Sequence, residues 1–542
     1  MEIHMKKQVL DEGIAKFWAM PEDWEIRNNQ IIALNFLVSN KKKKYIFIEM
    51  PVGSGKSATG MTYSRYMGSS AFILTPQVIL QRQYEADFGN NRDFNLGSFY
   101  GKSNYKCEPK GGVSCAVGSL VKPRCQSCPY ATARDHAVKA NHTVMNYKLG
   151  LSAWAYTRMF KGDNGPNSRK LMILDEAHTL DSQLCDFDSI KIGNKWCSDH
   201  YIQIPRDRTL PSIAEFIRTE YNKALMEAYD AMLTELELIK ENPESVDSSK
   251  EAKKVKELKY LESQLNICDE FLKMDISDVV DDYVLIDNDV GIEIKRIHAH
   301  RSFKRLIEPM ADQFLFMSST FLGKEESCAE LGIDPSEAAY ISIESEFDPE
   351  NRPVIYMPQL KMNYKWKDNK DKTRMLDTIN KLAQMHEGEN GIIHTGNFAI
   401  AEWIVENLNC KTHELIDHGP NSGISRNQAI AEFMSEDTTP AILISPSSTE
   451  GLDLKEDMGR FAIFAKVPFG NMGDAWIKKR MQLSNEWYQR RAMIDIIQGG
   501  GRIVRTPDDE GATYILDESF GYLYKMNKNI VPKWWKEAYQ VL

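Results

Sequence analysis

Tyr45-Ile46-Phe47-Ile48-Glu49-Met50-Pro51-Val52-Gly53-Ser54-Gly55-Lys56-Ser57 is the stretch on which the fold turns. Its first five residues read as a buried strand of a parallel sheet, a short apolar run stopped by turn residues. A glycine-rich turn and a helix start follow. Glycines there let backbone N–H groups turn inward around phosphate oxygens. The next helix offers its positive N-terminal end to the same anion. On this reading Gly53, Ser54 and Gly55 cradle the phosphates, Lys56 reaches the β- and γ-phosphates, and the Ser57 hydroxyl coordinates Mg²⁺. Met50 stands where the general pattern asks for glycine.

The partner motif is Leu171-Met172-Ile173-Leu174-Asp175-Glu176-Ala177-His178, a strand that delivers an acidic pair at its end. Asp175 is placed to hold the Mg²⁺, and Glu176 to orient or deprotonate an attacking water. A strand followed by an acidic helix cap would use the same letters. Both motifs in this order favour a nucleoside triphosphate site, with ATP and Mg²⁺ as the expected ligands.

Working outward, further short apolar runs read as strands: Ala71–Thr75, Gln313–Met317, Gly391–His394, Ala441–Ile444, Phe461–Val467 and Ala512–Leu516. Helical patterns such as Ala399–Asn407 and Asn485–Ile497 lie between them. Alternating strands and helices predict α/β layers. Eight such runs are too many for one compact nucleotide domain and fit two. The polar, proline-bounded stretch Glu344–Pro353 is the predicted boundary. Two wide gaps in the first half read as insertions. One, about Phe99–Tyr147, holds four cysteines. The other, about Asp181–Ile297, carries Leu and Ile at helical spacing over Ile213–Ile239 and Ser248–Lys273 and reads as a helical excursion.

The chain has 542 residues, which suggests roughly three to four domains. No run of about 18 apolar residues is present, so no membrane partner is expected. The N-terminal Met1-Glu2-Ile3-His4-Met5-Lys6-Lys7 has no apolar stretch behind it and does not read as an export signal. A cytoplasmic location, in a bacterium or a virus-infected cell, is the expectation. The net charge of −10 counts mildly against uniform coating of nucleic acid but leaves room for a local basic channel.

Of nine cysteines, Cys107, Cys115, Cys125 and Cys128 fall within 22 residues. In a reducing compartment a cluster of four reads as metal ligands before disulfides. Four thiolates can hold zinc or a [4Fe–4S] cluster; the spacing alone does not decide, and the Cys-x-x-Cys pair taken without context points to zinc. Lys102, Lys106, Lys110, Lys122, Arg124 and Arg134, with Tyr105 and Tyr130, surround these cysteines. Basic and aromatic residues suit a single-stranded nucleic acid. A solvated charged face accounts for the lysines and arginines equally well.

Glu49–Ser57 resembles the Glu-Met-Pro-x-Gly-x-Gly-Lys form of the XPD/DinG-type iron–sulfur helicases of superfamily two, a form that also lacks the first glycine. Arg27-Asn28-Asn29-Gln30 resembles their adenine-reading Q motif, with Gln30 as base contact. Gly101–Cys107 resembles the entry to their cluster domain and Asn141–Tyr147 its exit. Met317-Ser318-Ser319-Thr320-Phe321 is similar to their Ser-Ala-Thr motif. Ser448-Thr449-Glu450-Gly451-Leu452-Asp453 is similar to the motif ending in Glu-Gly-hydrophobic-Asp. Gln498-Gly499-Gly500-Gly501-Arg502-Ile503-Val504-Arg505 is similar to Gln-x-x-Gly-Arg-x-x-Arg.

The resemblance implies two RecA-like P-loop domains, with an iron–sulfur insertion and a helical arch-like insertion in the first. The expected division is 1–98, 148–182 and 298–346 for the first domain, 99–147 for the cluster, 183–297 for the arch and 347–542 for the second domain. It implies a [4Fe–4S] cluster on the four cysteines. Arg505, with Arg502 close behind, would be the arginine finger, and Gln498 and Asp453 would line the same cleft. The glycines before Arg502 would permit close approach to the other domain. The implied activity is ATP-dependent 5′-to-3′ DNA unwinding by a monomer that tracks single-stranded and tailed duplex DNA. Two other readings stay open: a translocase acting on RNA–DNA hybrids or bound proteins, and a zinc-stabilised nucleic-acid-binding module with a regulatory ATPase.

Overall fold

The computed structural model describes residues 9–21, 24–91, 94–107, 113–115, 128–156, 159–162, 165–166, 169–241, 248–435, 440–446, 458–504, 506 and 509–542. Two seven-stranded sheets organise it. The first contains β1 (Tyr45–Glu49), β2 (Ala71–Thr75), β3 (Leu96–Ser98), β4 (His142–Asn146), β5 (Arg169–Asp175), β6 (Ala311–Ser318) and β7 (Ala338–Ser342). Their spatial order is β7-β1-β6-β5-β2-β4-β3, and every pairing is parallel. The second contains β8 (Val354–Leu360), β9 (Gly391–His394), β10 (Glu414–Asp417), β11 (Ala441–Ser445), β12 (Phe461–Phe464), β13 (Ala512–Asp517) and β14 (Tyr539–Val541). Its order is β10-β11-β9-β12-β13-β8-β14, again parallel throughout.

Both faces of each sheet are covered, which is why the central strands are apolar without alternation. Tyr45 and Phe47 enter one core of the first lobe, with Phe72 and Leu74 of β2. Ile46 and Ile48 enter the core on the other face, with Ile73. The second lobe repeats the arrangement: Ile393 and Ile444 feed one core and Ile392 and Leu443 the opposite one. All eight runs read as strands from the sequence are strands here. The other six were not expected, and one of them revises the first insertion. Asn141–Tyr147, expected to close the cysteine insertion, supplies β4, and β4 pairs in register with β2.

The longer excursion is also more than helical. Its helices Asn222–Glu241 and Ser248–Leu272 accompany a three-stranded antiparallel sheet with Gly291–Arg296 between Ile190–Gly193 and Tyr283–Asn288. Helices and sheet share a core of their own that includes Ile192, Leu225, Leu261, Phe271 and Ile294. The short strands alternate buried and partly exposed positions, a weaker signal than the continuous apolar runs of the lobes.

Two helices of the second lobe, Ala475–Leu483 and Asn485–Gly500, dock on the first. Trp476 and Trp487 are part of the first lobe's core. The Trp476 indole N–H donates to Arg296 O at 2.7 Å, and Arg480 Nη1 donates to Ile297 O at 2.7 Å.

Candidate functional site

Gly53 and Gly55 have φ of +75° and +80°, a left-handed backbone that glycine adopts without penalty. Gly55 is the N-cap of the helix Lys56–Tyr66. A methyl on Gly55 would lie 2.1 Å from Gln30 Nε2. Gln30 is buried in the first turn of the helix Asn28–Ser39, and its Oε1 accepts from the Arg27 N–H at 3.0 Å. Arg27 Nη1 donates to Gly53 O at 2.6 Å. The pair Arg27 and Gln30 therefore braces the phosphate loop directly. Ser54 closes the turn on itself, its hydroxyl donating to Pro51 O at 2.6 Å. Met50 is fully buried, and its N–H donates to Ser318 O at 2.9 Å.

The carboxylates Asp175 and Glu176 stand at the C-terminal end of β5. Lys56 Nζ is 3.7 Å from Glu176 Oε1. Burial alone would raise the Glu176 pKa. The Lys56 ammonium, His178 and the Arg502 guanidinium outweigh it and hold the carboxyl below its usual range. Asp175 moves the other way, up to about 6, through burial and then the Glu176 charge. Tyr84, fully enclosed, donates its hydroxyl to Asp175 Oδ2 at 3.2 Å, and Ser57 hydrogen-bonds to the same tyrosine. The two expected Mg²⁺ ligands are thus brought to one point. Tyr147 OH holds Asp175 O at 2.8 Å. His178 Nδ1 lies 2.8 Å from Ser318 Oγ and 3.3 Å from Glu176 Oε2, which ties the acidic pair to the end of β6.

The opposite wall comes from the second lobe. Gln498 is buried at the end of the helix Asn485–Gly500, and its Nε2 has no hydrogen-bond partner among the described residues. Arg502 follows two residues after the helix ends. His394, at the end of β9, is held down to about 3 by burial and by Arg502, so it is neutral. The glycine run behaves differently from expectation. Only Gly501 faces the first lobe, where a methyl would lie 3.2 Å from Val52 Cγ2. Gly499 packs on Phe464 and His394 and Gly500 on Thr513, all within the second lobe. Pro51 and Val52 line the crevice on one side and Gly500, Gly501 and Val504 on the other. Asp453, Arg505 and the motif around Asp453 lie outside the described residues.

Two family models match the chain: a helicase C-terminal domain over residues 395–538, and the res subunit of type III restriction enzymes over residues 23–205. The ATP-dependent DNA helicase YoaA of Haemophilus influenzae is 23% identical over 450 residues, covering 73% of this chain and 67% of that protein. YoaA of Escherichia coli is 21% identical over 446 residues with the same coverage. Among solved structures, Xpd4 of S. tokodaii superposes with a TM-score of 0.60 at 14% identity, over 95% of this chain and all of that one. An XPD helicase gives 0.61 at 14% identity, over 96% of this chain and all of that one. These matches support the resemblance to the XPD/DinG-type helicases of superfamily two.

Cys107 and Cys115 are buried and Cys128 half-buried. Cys107 sits on the small ladder Lys106–Cys107 with Val113–Ser114, and Cys128 caps the helix Pro129–Lys139. Cys115 Sγ and Cys128 Sγ are 3.7 Å apart. Burial and the neighbouring Cys128 push the Cys115 thiol up to about 11, while the Cys128 thiol is lowered by backbone N–H groups and by Cys115 despite its burial. Cys125 lies outside the described residues. Among the described residues no group of three or more His, Cys, Asp or Glu side chains is close enough to hold an ion. The thiols present fit a thiolate-bound metal in chemistry and in the closeness of one pair, and that pair does not distinguish zinc from iron and sulfide.

The basic surface is tighter than the sequence suggested. Tyr105 and Tyr130 pack edge to face at 5.6 Å, and Lys102 Nζ stands 5.5 Å over the Tyr130 ring. Arg134 pairs with Asp135, and Lys106 is exposed. Lys110, Lys122 and Arg124 lie outside the described residues. Among the described residues no helix is long and apolar enough to cross a membrane. Tyr84, Arg27, His394 and the His178–Ser318 link were missed or given no role in the sequence. Arg27, His178 and Ser318 had a local signal, their places in the motifs around Gln30, Asp175 and Thr320.

Proposed function

We propose that this chain is an ATP-dependent DNA helicase that translocates 5′ to 3′ along a single strand and unwinds duplex DNA. The observation that carries the reading is the Glu176 carboxylate, which feels Lys56 from its own lobe and Arg502 from the other. One carboxylate reached by cations of both lobes is what a hydrolysis site opened and closed by lobe motion requires. The names of the relatives, DNA helicases among them, support the substrate.

Hydrolysis follows from the side chains. Water attacks the γ-phosphorus, its proton passes to Glu176, and the bond to the β-phosphate oxygen breaks to release ADP. Ser57 and Asp175 would hold Mg²⁺, which would supply positive charge to the phosphates. Lys56 is paired with Glu176 while no phosphate is present. An incoming γ-phosphate competes for Lys56, so Glu176 loses the charge that depresses it and becomes a better base when substrate is in place. Arg502, with Arg505 by family resemblance, stabilises charge on the transferring group, an effect of about 10³ to 10⁵ in rate. Gln498, Asp453 and Gln30 complete the nucleotide contacts on this reading.

The four cysteines are proposed to hold a [4Fe–4S] cluster, as the family resemblance implies.

The function is tested with 5′-tailed and 3′-tailed duplexes, with Lys56→Ala as control. ATP-dependent unwinding of the 5′-tailed duplex is expected, and Lys56→Ala abolishes it. Displacement of hybrids or bound protein without duplex unwinding would move the assignment to a translocase. Absence of DNA-stimulated ATPase would leave a binding module.

A further inference from the structure

Glu49 closes β1, one residue before the phosphate loop, and is 1% exposed. No part of the hydrolysis scheme uses it. Its Oε2 accepts from the N–H groups of Phe321 and Leu322, the latter at 2.9 Å. Its Oε1 accepts from the Ser342 hydroxyl at 2.6 Å. Tyr340 also hydrogen-bonds to it. The donors to the carboxylate are thus backbone amides and hydroxyls, from the loop after β6 and from β7. Burying a carboxylate is expensive unless its partners are well placed, so the expense points to the turn that it holds.

That turn is strained. Leu322 has φ +57°, a left-handed backbone that is unfavourable for a non-glycine residue. Gly323 follows at φ +122°, where a side chain would collide with Glu326. The strain places Leu322, fully buried, in a hydrophobic cluster with Phe464, Val467, Met493 and Ile497. Every other residue of that cluster lies at Val354 or beyond, in the second lobe. Phe321 O accepts from Arg490 of the same lobe at 3.3 Å. The turn is therefore a peg of the first lobe seated in the second, and a side chain adjoining the phosphate loop holds it in shape.

We propose that Glu49 is a positioning residue that links the phosphate loop to the second lobe, its carboxylate holding the left-handed turn that seats Leu322 in the second lobe's core. Movement of the loop on nucleotide binding shifts the end of β1, and Glu49 passes that shift to Phe321 and Leu322. The inference rests on the proposed ATP-driven activity. It assigns the link to a carboxylate clamp and an apolar peg, neither of which touches nucleotide.

The test compares Glu49→Ala, Glu49→Gln and Leu322→Ala in the full chain. The readouts are affinity for fluorescent ADP, KM and kcat for ATP with and without single-stranded DNA, and the nucleotide-dependent change in energy transfer between dyes on the two lobes. Glu49→Ala and Leu322→Ala are expected to bind ADP and to keep KM near the parent value. They should lose DNA stimulation of kcat by about fivefold or more, the low end for coupling between sites, together with most of the interlobe change. Glu49→Gln retains an oxygen for both N–H groups and an amide for Ser342, so it should keep most of the coupling. Parental stimulation and interlobe change in Glu49→Ala would overturn the proposal. So would equal damage in Glu49→Gln, which would make charge and not the turn the operative feature. Glu49→Gln and Leu322→Ala decide the matter if Glu49→Ala does not fold. Failure of the helicase reading shows separately, as a parent protein without DNA-stimulated turnover, while ADP affinity and interlobe change still report the link.

Discussion

Asp181→Asn should loosen the junction of the two lobes without unfolding either. Asp181 follows the acidic motif and is 2% exposed, with Arg480 and Arg491 of the second lobe at 3.5 and 3.6 Å. Both arginines stand beyond ordinary hydrogen-bond distance, so their interaction with the carboxylate is mainly charge on charge, with the Ser182 backbone N–H as a further partner. Removing one partner of a buried pair costs about 3–5 kcal/mol because the other charge is stranded. Arg480 keeps its bond to Ile297 O and Arg491 its bond to His178 O, which places the expected loss near 3 kcal/mol. That is about a hundredfold in the ratio of docked to undocked lobes. A donor–acceptor pair at the exposed residues Ile79 and Met385, followed through a urea titration, reads the separation. Far-UV circular dichroism in the same titration reads unfolding. In the variant, separation should precede unfolding by a clear interval. Burial would raise the Asp181 pKa, but Arg491 and Arg480 hold it below the ordinary range. A depressed folded pKa contributes stability above the unfolded value of about 3.9 and loses it as pH falls through the folded value. The difference between parent and variant should therefore be full at pH 7 and shrink in acid. Coincident transitions matching the parent at pH 7 would refute the reasoning.

Arg502→Ala should lower kcat for ATP by about 10³ or more with little change in KM, the pattern of a group that acts mainly in the transition state; steady-state turnover with excess DNA checks it. Gly55→Ala places a side chain at φ +80° against Gln30 Nε2. It should weaken binding of fluorescent ADP about tenfold or more, from a backbone cost of about 1–2 kcal/mol plus the collision, and unchanged affinity would mean the loop rearranges freely. Protein purified without oxygen should contain about four irons per chain if the cysteines hold a [4Fe–4S] cluster. Stoichiometric zinc in place of iron, measured by elemental analysis, would overturn the cluster assignment.

The sequence disclosed what depends on local order. Tyr45–Glu49 and Leu171–Leu174 are apolar because both faces of their strands are covered, and the turn and the acidic pair follow without interruption. The six unexpected strands share the opposite property. Leu96–Ser98 is three residues long, His142–Asn146 carries His, Thr and Asn, and Glu414–Asp417 is acidic at both ends. His142 pays for its place in a sheet by bonding to Ser64 and Phe94 O, a solution no periodicity announces. Tyr84 was invisible for a related reason. It reaches Asp175 across 91 positions of sequence, and only folding brings those residues together. The glycines at 499–501 show how a correct motif can mislead in detail. Two of them accommodate the second lobe's own side chains, and only Gly501 answers to the first lobe.

The helix Asn485–Gly500 joins these local facts into one device. Near its start, Arg490 bonds to Phe321 O and Glu330, and Arg491 to His178 O and Asp181, all groups of the first lobe behind the phosphate site. At its end stands Gln498, with Arg502 just beyond. The seven steps along the helix from Arg491 to Gln498 span about 10 Å at about 1.5 Å each. A turn of roughly ten degrees about the anchored end would carry Gln498 by about 2 Å on that lever arm. That displacement is enough to make or break a hydrogen bond. The anchors bear on the residues that hold the acidic pair, and the moving end carries the groups that would meet the γ-phosphate. A stiff helix fixed at one end and polar at the other is how a change behind the site becomes a change within it. The buried charges of Asp181 and Glu330 and the peg of Leu322 are then best understood as the bearing on which that helix turns.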